Sequence, residues 1–287
     1  MVRCGGVFDR RAELIERLRR GPVPAAAGKP AATRWTLARV AAALPWLAGY
    51  SLSGVWKLLR GSGIRLRSAR VQAYSPDPDY EQKVEHLCAV LREASHAPGE
   101  RVVVFVDQMG YGRWPQAASD WMPEAPTPVR VAERFASNER KWRLMGALNA
   151  QTGRVDTLDN YIVGRKQVIQ FLGRLNAAYP QASRISVVLD NWSIHQHPDV
   201  QEALQALPRL DLVWLPTYAP WLNPIEKLWR WVRQDALYLH RDAGDWNTLQ
   251  QHLHAFASAV RELRSTEVLE YVGLLGDGLL AQARRGR

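Results

Sequence analysis

Two strand-like apolar runs each end in an aspartate, and a helix started by a proline carries a glutamate. The runs are Val102-Val103-Val104-Phe105-Val106-Asp107 and Ile185-Ser186-Val187-Val188-Leu189-Asp190. The third piece is Asn223-Pro224-Ile225-Glu226. A fold that brings these three carboxylates to one point can hold divalent cations beside a phosphodiester, because Mg²⁺ binds through one or two carboxylates plus water and substrate phosphate. Two such ions roughly 4 Å apart activate an attacking oxygen and stabilise the leaving one. The pattern therefore points to chemistry that cuts and joins nucleic acid.

The 287 residues allow one large domain or two ordinary ones. No stretch approaches 18 uninterrupted apolar residues, so no membrane span is expected. The two cysteines, Cys4 and Cys88, have no metal-ligand spacing, which suits a reducing cytoplasm and argues against structural zinc. The charge is unevenly placed. Residues 1–80 hold 14 Lys/Arg and 5 Asp/Glu, whereas the rest hold 24 and 23. A basic front end on a near-neutral body suggests a module that meets phosphates; the alternative is a solvated face that serves solubility.

Residues 1–33 read as a charged helix and a Pro/Ala linker. Within 34–73, Leu37, Val40, Ala41, Leu44 and Leu47 repeat at helical spacing. Pro45 ends or kinks that helix, Gly49-Tyr50 turn the chain, and Ser51 caps a second helix. The expected core face of that second helix is Leu52, Val55, Trp56 and Leu59. It turns Ser53, Lys57 and Arg60 outward, and Arg65, Arg67 and Arg70 follow as a basic arm. This is a helix-turn-helix pattern suited to base edges and phosphates, and an ordinary helical hairpin is the competing reading. Residues 74–99 are a second linker and a helix over 80–94.

A catalytic region is expected over 100–240, with strands at 102–107, 142–149, 154–163, 185–190 and 210–215. Helices are expected at 166–178, 198–206 and 224–237. Residues 111–138 read as irregular. A helical region over 246–263 and a basic tail fill 241–287. Three strands in direct succession, then helix, strand, helix, strand and helix, is the order of a ribonuclease H-like domain. That predicts an α/β mixed five-stranded sheet with flanking helices, preceded by the all-α helix-turn-helix region. Asp107 and Asp190 are expected at the carboxyl ends of strands, where open α/β sheets gather ligands.

Each residue also has a structural reading. Asp ends strands because it starts turns. Asn223-Pro224-Ile225-Glu226 is equally a good helix start, with Asn223 as cap and Glu226 at the third position. His195 reads as a supporting hydrogen-bonder, with direct contact to metal or phosphate as the alternative. Asn191 and Asn223 are candidates for orienting the carboxylates. His240, His252 and His254 read as surface residues, and Asp156, Asp159 and Asp211 as turn or edge residues. Most tryptophans, Trp56 and Trp229 among them, are expected in cores. Trp114 and Trp121 are read as packing residues, with stacking on bases as the alternative.

The segments VVVFVDQMG, VVLDNWSIHQHPDV and LPTYAPWLNPIEKLWRWV resemble the three acidic motifs of bacterial insertion-sequence DDE transposases of the mariner-related superfamily. The match covers about residues 100–240, with 35 residues between Asp190 and Glu226, and 35–70 resembles that family's DNA-binding region. The resemblance implies a ribonuclease H-like catalytic domain, Mg²⁺ or Mn²⁺, and terminal inverted repeats as substrate. It also implies a dimer on two transposon ends, and it gives Asp107, Asp190 and Glu226 the catalytic and metal-holding roles. Two departures stand out. Such proteins commonly carry two helix-turn-helix units before the first aspartate, and here there is room for one clear unit. The expectation is a shortened copy, an alternative start or a variant of reduced end recognition. Gln108 also stands where an acidic residue is frequent. Competing functions are a ribonuclease H-like nuclease without strand transfer and an inactive copy that binds ends.

Overall fold

A computed structural model describes residues 5–22, 34–67, 73–121, 132–134, 139–262 and 265–276, together with Leu279 and Ala283. The chain divides into two compact units, Met1–Val71 and Gln72–Arg287.

In the first unit, α1 (Gly5–Arg19), α2 (Leu37–Ala43) and α3 (Leu52–Gly61) share one small core. Leu14 of α1 is buried with Val40, Leu44, Leu47 and Val55, so the charged N-terminal helix packs with the hairpin that follows it. Pro45 stops α2 as expected and opens a single 3₁₀ turn, Pro45–Leu47. Gly49 has φ +87°, a conformation that suits glycine. The Ser51 side chain caps α3 by accepting from the Gly54 amide. The expected core face of α3 needs correction. Val55 is buried and Leu59 packs against the core, but Leu52 and Trp56 stand about half exposed. A ten-residue helix on a core this small buries a narrow stripe, and Trp56 falls outside it, under the Arg60 guanidinium at 5.2 Å.

The second unit is built on a five-stranded sheet of order β3-β2-β1-β4-β5. The strands are β1 (Arg101–Gly112), β2 (Lys141–Asn149), β3 (Val155–Asn160), β4 (Arg184–Leu189) and β5 (Leu210–Trp214). β1, β2 and β3 pair antiparallel, and β1, β4 and β5 pair parallel. This is the expected ribonuclease H-like arrangement. Helix α5 (Arg165–Ala178) connects β3 to β4, and α6 (Pro198–Gln205) connects β4 to β5. Both cover one face of the sheet, where Val102, Val104 and Val106 meet Val168, Phe171 and Val200. The other face carries α4 (Tyr80–His96), α7 (Ile225–Val232), α8 (Trp246–Glu262) and α9 (Ser265–Val272). There Val103, Phe105, Met109 and Tyr111 meet Leu87, Leu228, Trp229 and Leu249. Strand alternation therefore sets Asp107 on the α7 face.

β1 is twice as long as expected. The sequence predicts a strand end at Asp107 and irregular chain from Tyr111, yet pairing with β2 continues to Gly112↔Lys141. Cross-strand pairing overrides weak local propensity here. Asp107 is consequently not at a strand end. It lies where β1 outruns β4, whose pairing with β1 stops at Phe105↔Val188. β3 is shorter than expected and stops where its partner register stops, at Arg143↔Asn160. Among the described residues, no helix is long and apolar enough to cross a membrane.

Candidate active site

Asp107, Asp190 and Glu226 line one open pocket of about 610 Å³, with Asn191, Trp192, Thr217, Tyr218 and Asn223. Three different elements supply the carboxylates. Asp107 projects from β1, Asp190 follows the last residue of β4, and Glu226 sits in the first turn of α7, which packs over β1 and β2.

The electrostatics single out Asp107. Burial and the neighbouring Glu226 and Asp190 carboxylates push its carboxyl from 3.8 up to about 7, against the Gln108 amide and the Trp229 indole, which favour the charged form. Asp190 is much freer, with its side chain 64% exposed, and its Oδ1 accepts from the Trp192 amide at 3.2 Å. Among the described residues, no three His, Cys, Asp or Glu side chains stand together closely enough to hold an ion as they are. The carboxylates thus share a pocket without closing on a single point.

The remaining expected residues fall in distinct places. His195 is buried, and its Nε2 lies 3.7 Å from Asp190 Oδ1, beyond hydrogen-bond range. Burial pulls its imidazole below its ordinary value, with Asp190 opposing, and Trp192 meets its ring edge-on at 5.5 Å. Asn191 does not touch the carboxylates. Its Nδ2 donates to Leu215 O and Thr217 Oγ1, both at 3.0 Å, and so holds the loop between β5 and α7 against the end of β4. Asn223 is not the helix cap that the sequence suggested, because Pro224 occupies that place without a side-chain cap. Asn223 Nδ2 instead donates to the carbonyl of Val106 at 3.3 Å, tying the start of α7 to the residue before Asp107. Its Oδ1 is buried with no partner in the protein.

Sequence reasoning missed two supports. The Trp229 indole donates to Asp107 Oδ2 at 3.0 Å. Its position one turn after Glu226 was the available signal. The second support is Asp77, in the segment before α4. Asp77 accepts from the Thr217 amide at 2.7 Å and from Lys83 Nζ at 2.8 Å, while Ser75 Oγ donates to Thr217 O at 2.6 Å. Nothing in the sequence near Asp77 announces a partner 140 residues away.

Other expectations also find places. His240 is half-buried, with its Nε2 lacking a partner, so it is not a surface residue. His252 and His254 are exposed but reach Asp242 and Asp159. Asp159 accepts from Tyr111, Asp156 pairs with Arg154, and Asp211 pairs with Arg184. Trp114 lies beneath the Arg134 guanidinium, and Trp121 is fully exposed. Ser53, Lys57, Arg60, Arg65 and Arg67 are all exposed in the first unit. Arg70, the tail at 284–287, and most of 122–138 lie outside the described residues.

Comparison with known proteins bears on the family and the fold. A protein of insertion element IS630 from Shigella sonnei, described as an uncharacterized 39 kDa protein, is 27% identical over 224 residues. The match takes in 77% of this chain and 64% of that protein, so the chain spans less than two thirds of the relative's length. Among solved structures, a pre-cleavage Mos1 transpososome shares the fold with a TM-score of 0.68 at 16% identity, over 96% of this chain and 79% of that one. The Mos1 mariner paired end complex with Mn gives 0.66 at 17%, over 96% and 78%. The family model described as DDE superfamily endonuclease matches residues 102–250, just over half of the chain, a span within which all three carboxylates fall. The chain belongs to the DDE superfamily endonuclease family.

Proposed function

We propose that this protein is a DNA transposase that cleaves at transposon ends and transfers the freed strand into target DNA, using divalent cations held by Asp107, Asp190 and Glu226. The observation that carries the proposal is the shared pocket of three carboxylates in which Asp107 is pushed up to about 7 by burial and its two acidic neighbours. Such a set is unfavourable by itself and becomes favourable around a cation. The unpartnered Asn223 Oδ1, an oxygen of a residue lining the same pocket, suits the same occupant, because hard cations take oxygen ligands. The residues present therefore fit Mg²⁺ or Mn²⁺, and we propose two ions. When bound, such ions lower the pKa of an attacking water or 3′-hydroxyl and offset charge on the leaving oxygen.

The chain's own residues supply position. Asn223 ties α7, and Glu226 with it, to the backbone beside Asp107. Asn191, the residue after Asp190, ties the pocket loop to the end of β4. Burial disfavours the charged form of His195 beside Asp190, which opposes that shift. In the first unit, α3 presents Ser53, Lys57 and Arg60 as a recognition helix, and Arg65 and Arg67 continue the basic path, with Arg70 following in the sequence. Trp56 joins this exposed face, where an aromatic ring beside arginine suits contact with sugar and base edges. The partners are terminal inverted repeats and target DNA, bound by a homodimer. Kinship with an insertion-element protein and a fold shared with Mos1 transpososomes support this reading.

A cleavage and strand-transfer assay with Mg²⁺ on DNA carrying the element's ends tests it, beside Asp190→Ala. Cutting and joining that the variant loses support the proposal. Cutting without joining indicates a nuclease on the same fold, and end binding alone indicates an inactive copy.

A further inference from the structure

Trp229 sits where an ordinary core residue has no reason to be polar, and the fold makes room for it at a specific point. It is 1% exposed, the largest fully buried side chain of the described residues. Its N–H, which needs a partner once buried, reaches Asp107 Oδ2 at 3.0 Å. The ring lies over β2 at Gly146, the residue paired with Asp107 across the ladder. A Cβ at Gly146 would stand 2.3 Å from Trp229 Cη2, 2.8 Å from Cζ2 and 3.1 Å from Ile225 Cδ1. Any side chain at 146 therefore drives the indole off β2 and away from Asp107. Gly146 is not a turn residue; it lies inside a strand, where glycine marks close approach.

We propose that Trp229 is a positioning residue for Asp107 and that Gly146 is the space that admits it. This rests on Asp107 being an ion-holding carboxylate. The indole donates to Oδ2 and so fixes the side chain of a residue that lines the pocket. A neutral donor can do this without competing with a cation, as a lysine or arginine at the same place would. Glu226 stands one turn before Trp229 on the same helix face, so one helix sets both carboxylates. The support is of the kind by which outer partners fix ligand orientation.

The test compares the parent chain with Asp107→Asn, Gly146→Ala, Trp229→Phe and Trp229→3-benzothienylalanine, an isosteric ring in which sulfur replaces N–H. Mn²⁺ affinity is measured by calorimetry, metal-free unfolding by denaturant, and the Mg²⁺ dependence of cleavage alongside. The isosteric variant is expected to bind Mn²⁺ about tenfold or more weakly with its unfolding midpoint unchanged, in line with the loss of an outer partner of a metal ligand. Gly146→Ala is expected to weaken Mn²⁺ binding comparably in the parent, but much less beside Trp229→Phe, whose shorter ring no longer meets the new Cβ. Isosteric and Gly146→Ala variants within twofold of the parent would overturn the proposal while Asp107→Asn still weakens binding. If Asp107→Asn itself leaves Mn²⁺ affinity unchanged, the metal reading of the pocket fails first and this proposal with it.

Discussion

Asp77 and Asp107 are both largely buried aspartates of the second unit, yet their surroundings are opposite. Burial works against the charge of Asp77, but Lys83 Nζ and the amides of Thr217 and Asp79 outweigh it and hold the carboxyl at about 2. Asp107 has a backbone amide and one indole for support, and two carboxylates for neighbours, and it rises to about 7. The scaffold side of the pocket is saturated with donors, and the reacting side is short of positive charge. The difference teaches how the fold divides its work. Satisfied groups fix the loop that walls the pocket, and the unfavourable charge is concentrated where a cation can relieve it.

The largest expected effect removes that concentration. Alanine at Asp107, Asp190 or Glu226 should lower cleavage by roughly a hundredfold to a thousandfold or more, as for loss of one group that stabilises transition-state charge. Metal-free stability should move the other way for Asp107→Asn, rising by on the order of 2 kcal/mol at neutral pH, since the neutral amide sheds the unfavourable charge. Urea unfolding measures this, and a loss of stability would break the comparison.

Asp77→Ala should have the reverse profile. It leaves the Thr217 amide and Lys83 without their acceptor and should destabilise the unit by roughly 2–3 kcal/mol. Cleavage should fall only as far as the pocket loop loosens, with Mn²⁺ affinity changed less than by Asp107→Asn.

The pH dependence sharpens the contrast. The Asp107 carboxyl is raised in the folded chain, so between its ordinary 3.8 and about 7 the folded state holds more protons than the unfolded one. Its contribution to metal-free stability is therefore full below about 4 and lost as pH rises toward 7. Asp77 is depressed, so its contribution is full above 3.8 and lost as pH falls toward about 2. Unfolding midpoints across pH should lose their neutral-side fall in Asp107→Asn and their acid-side fall in Asp77→Asn. Smallest is Asn191→Ala, which removes two donations to the loop and should lower stability by about 1 kcal/mol with a modest drop in cleavage.

Much of this was legible in the residues. The strand and helix order of the second unit follows from apolar runs separated by strong breakers, and the three carboxylates stand where those runs end or a helix begins. What was not legible depends on register and on distance. Asp107 looked like a strand end because the apolar run stops there and Asp starts turns, and only pairing with β2 carries β1 onward. Asn223 looked like a cap because the local pattern fits one, yet the helix start lies close enough to β1 for Val106 O to take its amide. Gly146 is mute in sequence, since its meaning is the indole laid over it from 83 residues away. Trp56 was assigned to a core by its spacing, but three short helices enclose too little volume to bury it.

The most direct measurement is Mn²⁺ binding to the 287-residue chain at pH 7.5, in the parent and in the Asp107→Asn, Asp190→Asn and Glu226→Gln variants, each checked for folding. The account predicts saturable binding in the parent, weakened at least tenfold by every one of the three changes, with folding retained. Binding that is absent from the parent, or that survives all three changes, would contradict it.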